Sequence, residues 1–214
     1  MASVSGVSRQ SNCATWCVVL ESHESSAEGE QDQMRIREAE LSDAAAMARV
    51  MVESFRSAHR DHLPEASLTN LSYEESERNW ARALRELSES DERTEYIYVA
   101  ENDAGDLIGL AMGGPERSSH PLYLGEIYVL YLLPTYYRQG IGRQLTASVV
   151  ERLVGRGMDS LLIRVLKANT RARRFYEALG GQLVLEEQIE DEGAVLDQVA
   201  YGWRDASELL PPRV

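Results

Sequence analysis

The stretch Glu126–Ala147, EIYVLYLLPTYYRQGIGRQLTA, decides how this chain folds. Ile127 to Leu133 is a short run of β-branched, aromatic and apolar residues, the length and type of a buried strand. Pro134 has no N–H to give a sheet ladder, so it closes the run. Gly140 and Gly142 flank Ile141, and Leu145, Val149, Val150 and Leu153 recur behind them at helical spacing. The predicted unit is strand, proline, glycine-punctuated turn, helix. A helix start leaves backbone N–H groups without intrahelical partners and carries the positive end of the peptide dipoles, so it suits a phosphate. Glycine lets the backbone approach the oxygens, and Arg138 and Arg143 add positive charge. Gly-x-Gly also marks ordinary strand-to-helix turns, so the flanking segments have to decide between the two readings.

On the N-terminal side, strands Glu95–Ala100 and Leu107–Met112 flank a turn at Asp103-Ala104-Gly105-Asp106 and stop at Gly113-Gly114-Pro115, which reads as an antiparallel hairpin. Further back, Ser42-Asp43 offers a helix cap, with Ala46, Met47, Val50, Met51, Ser54 and Phe55 on one face. A second helix is predicted over Tyr73–Leu87, with Trp80, Leu84 and Leu87 inward, after a loop or broken helix at Ser57–Ser72 that holds His59, His62 and Pro64. Arg35-Ile36-Arg37 opens the first strand. On the C-terminal side come a strand at Ser160–Leu166 and a short helix from Asn169-Thr170 that ends at Gly180-Gly181. Leu183–Ile189 and Val195–Trp203 then form a hairpin around Asp191-Glu192-Gly193. The order β, α, α, β, β, β, α, β, α, β, β predicts an α/β domain, a mixed twisted sheet with helices on both faces.

Residues 1–33, rich in Ser, Glu and Gln and without periodicity, read as a disordered extension. The domain is expected over residues 34–204, with a tail at 205–214, and Met34 is a candidate translation start that intact-mass measurement of natively expressed protein would check. With 214 residues, 43% of them apolar, the chain suits one domain with a substantial core. A net charge of −13 argues against nucleic acid as a partner and leaves a cationic ligand as the natural complement of an acidic cleft. Cys13 and Cys17 make neither a zinc site nor a disulfide framework, which points to a reducing cytoplasm and no metal. The apolar run Cys13–Leu20 is too short to span a bilayer, and no membrane role is expected.

Together these segments resemble the GNAT superfamily of acetyl-CoA-dependent N-acetyltransferases over Met34 to about Arg204. The resemblance rests on the β-α-α start, the strand-Pro-Gly-x-Gly-helix unit, the Ser160–Leu166 strand and the run Asn169-Thr170-Arg171-Ala172-Arg173-Arg174-Phe175-Tyr176-Glu177-Ala178-Leu179-Gly180, which is similar to the family's Asn…Ala-x-x-Phe-Tyr-x-x-x-Gly pattern. It implies a mostly antiparallel sheet and acetyl-CoA as cosubstrate, with the pyrophosphate on the amides of Arg138, Gln139, Gly140, Ile141, Gly142 and Arg143. It also implies that a splayed strand at Tyr131, Leu132 and Leu133 pairs with the pantetheine, and that Asn169 binds near that arm. Two positions depart from the pattern: Tyr137 stands where the family usually has Gln or Arg, and Gly181 where an aromatic residue is common.

Acetylating an amine requires a neutral nucleophile, a held thioester, a donor for the oxyanion and a proton for the thiolate. By resemblance Glu126 is the expected base and Tyr176 the expected acid, with a backbone N–H near Leu132 or Leu133 meeting the oxyanion. A salt-bridged Glu126 and a core Tyr176 are the competing structural readings. His59, His62, Tyr73, Trp80 and Tyr128 are candidates to line the acceptor pocket. The acceptor is expected to be a small-molecule or peptide amine, the resemblance implies a homodimer, and the rival function is a catalytically silent acetyl-CoA sensor.

Overall fold

The computed structural model of the protein describes residues 34–60, 68–191 and 194–212. Its strands are β1 (Arg35–Glu38), β2 (Tyr96–Glu101), β3 (Leu107–Pro115), β4 (Gly125–Leu132), β5 (Leu161–Leu166), β6 (Gln182–Asp191) and β7 (Ala194–Trp203). They form one sheet in the order β1-β2-β3-β4-β5-β7-β6. Every neighbouring pair is antiparallel except β4 and β5, which run parallel. The helices are α1 (Ala44–His59), α2 (Tyr73–Glu89), α3 (Ile141–Val154) and α4 (Thr170–Ala178). The element order and the mostly antiparallel α/β sheet are those expected from the sequence.

Local chemistry explains the starts of the helices. Arg37 bonds Asp43 at 2.7 Å, and Asp43 in turn accepts from the Glu40 N–H at 2.7 Å, which fixes the entry to α1. Ser72 caps α2 by accepting from the Glu75 N–H at 3.3 Å, with Glu74 and Glu75 in the first turn. α1 and α2 pack on each other, and α1 also lies on β3 and β4, while α3 crosses β1 to β4. Ile141, Leu145, Val149, Val150 and Leu153 of α3 are all buried.

Several boundaries differ from the expected ones for identifiable reasons. Gly113 and Gly114 do not end β3; they pair with Ile127 and Glu126. A Cβ on Gly113 would stand 2.8 Å from Val149 Cγ1, so this glycine lets α3 approach the sheet instead of turning the chain. His59 is the last residue of α1, buried with its ring 4.5 Å from that of Phe55, so the first helix runs into the segment expected as a loop or broken helix. His62 and Pro64 lie outside the described residues, as does part of the hairpin turn at Asp191-Glu192-Gly193. The segment expected as a tail includes a short turn at Ala206–Leu209 that packs on α3, with Ala206 and Leu209 buried. Gly181 departs from the family pattern because β7 supplies the aromatic group: a Cβ there would sit 2.6 Å from Trp203 Cζ2.

Candidate active site

β4 and β5 pair only from Gly125 to Ile127 against Leu161 to Ile163. Beyond that point β4 follows β3 as far as Leu132↔Gly109, and β5 follows β7 as far as Leu166↔Gln198. The two strands therefore fork. The fork starts at a bulge: Met112 pairs with Val129 and Gly113 with Ile127, leaving Tyr128 as the extra residue of β4. The Leu133 N–H donates to Ile108 O at 2.9 Å and so faces β3. Strand alternation then turns Leu130 and Leu132 toward the open side of the fork. Such an edge can take an extended amide chain as an added strand. Of the two amides expected near the oxyanion, the Leu133 N–H is committed to β3, and Leu132 is the one facing the fork.

Past the fork, Pro134–Tyr136 forms one tight turn and the chain enters α3 through two left-handed residues, Arg138 at φ 65° and Gly140 at φ 79°. Left-handed residues interspersed with ordinary ones turn successive N–H groups to one side, making an anion-binding concavity. The Gln144 N–H bonds Gly140 O at 3.1 Å, so the amides of Ile141, Gly142 and Arg143 precede the first intrahelical bond. Arg138, Gln139, Gly140 and Arg143 are exposed. Tyr137 lies under the Arg171 guanidinium, 5.1 Å from its ring centre, and this stack ties the loop to α4. The cradle thus fits a pyrophosphate through its backbone, and Tyr137 replaces a family side-chain contact with a cation-stacked ring.

α4 leaves directly from the end of β5, where the Asn169 N–H donates to Leu166 O at 2.9 Å. Asn169 is buried, and its side-chain oxygen caps α4 by accepting from the Ala172 N–H at 3.1 Å. Tyr176 is fully buried, its ring 5.9 Å from Tyr201 and 6.4 Å from Trp203.

At the apex of the fork is a set of charged side chains that, apart from Glu126, sequence reasoning missed. Glu126 is fully buried. Its Oε1 accepts from Arg117 Nη2 and Arg164 Nη1 at 2.9 Å each, and its Oε2 from the Arg117 backbone N–H and Nε at 3.2 Å each. Four donors match the lone-pair capacity of a carboxylate. Arg164, itself buried, also binds Glu116 at 2.7 Å and approaches Glu187 at 3.6 Å. Burial pushes the Glu116 carboxyl up, but donors from Ser118, the His120 N–H and Arg164 outweigh it and hold it at about 2. Burial works against the Arg164 charge, and Glu116 and Glu126 more than restore it. Arg117 lies over the Tyr128 ring at 4.0 Å, and the Tyr128 hydroxyl donates to Pro115 O at 2.7 Å. Burial pushes the Tyr128 phenol up. The one signal for this cluster in the sequence was Arg164, a charge in the middle of the apolar strand Leu161–Leu166. Of the other pocket candidates, Trp80 is core and Tyr73 is 43% exposed.

Residues 53–181 match the model of the Acetyltransferase (GNAT) family. The chain belongs to the GNAT acetyltransferase family. Like its relatives, this GNAT protein is an acetyl-CoA-dependent N-acetyltransferase, an enzyme and not a silent acetyl-CoA sensor. It is 35% identical over 175 residues to the uncharacterized N-acetyltransferase YuaI of Bacillus subtilis, covering 81% of this chain and 95% of that one. It is 27% identical over 135 residues to thialysine N-epsilon-acetyltransferase of Bos taurus, covering 50% of this chain and 79% of the relative. Among solved structures, the PaiA N-acetyltransferase of Thermoplasma acidophilum in complex with coenzyme A superposes with a TM-score of 0.57 at 19% identity, over 78% of this chain and 98% of that one. Among the described residues no helix is long and apolar enough to cross a membrane.

Proposed function

We propose that this GNAT enzyme acetylates a primary amine carried by a small cationic molecule, by direct transfer within a ternary complex. The charge at the apex of the fork carries this reading. Among the described residues Glu95, Glu116, Glu126 and Glu187 there face two guanidinium groups, Arg117 and Arg164. An excess of carboxylate draws an ammonium group in and repels an acidic acceptor. The similarity to an enzyme named for thialysine, a small amine, agrees with it.

In this reading the amides of Arg138 to Arg143 hold the pyrophosphate, and the open edge of β4 at Leu130 and Leu132 pairs with the pantetheine. Asn169 sets the start of α4, and so the place of Tyr176, which protonates the departing thiolate. Glu126 holds Arg117 and Arg164 in position. The base role expected for it requires Arg117 to withdraw; the Arg117 side chain is 38% exposed and Arg164 only 9%, so Arg117 is the partner with room to move.

Free-thiol release from acetyl-CoA against polyamines, aminoglycosides, amino acids and peptides tests the proposal. Turnover with a cationic small amine, exceeding that with peptides or acidic amines by roughly tenfold or more, is expected. A preference for peptides would overturn the acceptor class.

A further inference from the structure

A second carboxylate reaches the bulge from across the sheet. Tyr96 pairs with Gly113, and Gly113 with Ile127, so Glu95, one residue earlier, lies in line with Gly114 and Glu126. Gly114 has no side chain, and two groups meet in the space above it. A Cβ there would stand 2.6 Å from Tyr128 Oη and 2.8 Å from Glu95 Cγ. Tyr128 directly follows Ile127, the last β4 residue paired with β5, so its ring stands where the fork opens. Among the described residues, the titratable groups facing Glu95 are Tyr128 from β4, Arg117 from the β3–β4 connection and Glu86 from α2.

The two carboxylates differ in what they are able to accept. Glu126 is saturated by four N–H donors, whereas among the described residues no arginine forms a salt bridge with Glu95. Glu95 is half-buried, and burial pushes its carboxyl up from the ordinary range, against the partial pull of Arg117 and the Tyr128 hydroxyl. A carboxylate pushed up in that way is better matched to accepting a proton near neutral pH than an ordinary exposed one.

We propose that Glu95 is the carboxylate that takes the proton from the acceptor's ammonium group, with the Tyr128 hydroxyl turning its hydrogen from Pro115 O to bridge between them. The inference rests on the direct-transfer reading above. The ammonium gives one proton to Glu95, and the freed lone pair forms the C–N bond to the thioester carbonyl carbon. The C–S bond breaks with its electron pair on sulfur. The further proton lost by the nitrogen reaches the thiolate through Tyr176, and Glu95 returns its own to water. An ammonium and acetyl-CoA thus give an acetamide, the CoA thiol and one free proton.

The test is the pH dependence of kcat/KM for wild type, Glu95→Gln and Glu95→Asp with the best amine found, alongside calorimetric acetyl-CoA binding. Glu95→Gln is expected to lower kcat/KM about 100-fold at neutral pH. The loss should shrink as the pH rises toward the amine's own pKa, where free amine needs no base. Glu95→Asp should fall between, and acetyl-CoA affinity should not change. A Glu95→Gln enzyme within about twofold of wild type at neutral pH, or one impaired equally at every pH, overturns the inference and leaves the function standing. Should Glu95→Gln fail to bind acetyl-CoA, Gly114→Ala, whose Cβ pushes Glu95 and Tyr128 apart, is read instead. The same pH-relieved loss supports the proposal, and a wild-type profile overturns it. Wild-type protein that releases no thiol with any amine overturns the function, and this inference with it.

Discussion

Between Pro134 and Arg143 the candidate site is made of backbone, whereas around Glu126 it is made of side chains brought together from residues 95 to 187. The end proposed to hold the donor owes its shape to a proline, two left-handed residues and a helix start, and most of its residues are exposed. The end proposed to meet the acceptor has almost no backbone device of its own apart from the Tyr128 bulge. It depends on the buried pair Arg164 and Glu126 and on the more exposed Arg117 and Glu187 around them, whose charges balance only in part. A backbone cradle tolerates changes of side chain, and Tyr137, where the family usually has another residue, leaves the backbone of this loop in place. A buried ionic network does not, because removing one partner strands the others.

That contrast predicts its largest effect at Arg164. Arg164→Met leaves the Glu116 and Glu126 carboxylates buried without their shared cation, and should cost about 3–5 kcal/mol of stability by denaturant unfolding. A cost within the range of ordinary surface substitutions would break the picture of a load shared by this arginine. Next comes Tyr176→Phe, which keeps the packed ring and removes only the hydroxyl. It should lower kcat about 100-fold while acetyl-CoA affinity holds; unchanged kcat would make Tyr176 a core residue only. At the donor end, a Cβ on Gly140 meets nothing within 4 Å but must adopt φ 79°. Gly140→Ala should therefore cost only about 1–2 kcal/mol in stability. Coenzyme A affinity should weaken roughly tenfold if the amides tilt with it. Equal losses at Gly140 and Arg164 would erase the distinction between the two ends.

The smallest effect is in acid. Glu116 is held at about 2 against its ordinary 4.5, so its contribution is fully present above about 4.5 and is lost as the pH falls from there toward 2. The denaturant midpoint should fall over that window, and Glu116→Gln should flatten the fall.

The sequence made the donor end legible because proline and glycine fix backbone shape locally, and a periodic apolar face identifies the helix behind them. The order of the strands and helices was readable for the same reason. The acceptor end was not, since the line Glu95, Gly114, Glu126 exists only once β2, β3 and β4 are in register. The bulge at Tyr128 shifts that register by one residue, which alternation alone does not reveal. The end of α1 at His59 was not legible because it carries no proline or glycine to mark it, and burial against Phe55 carries the helix onward. Ala206 and Leu209 were hidden by their position after the last strand, where nothing local signals docking on α3.

Direct transfer across the fork is tested most simply by initial rates with acetyl-CoA and amine both varied. Lines that intersect in the double-reciprocal plot, together with no acetyl group retained on the protein, are the predicted result. Parallel lines with an acetylated protein intermediate would contradict it.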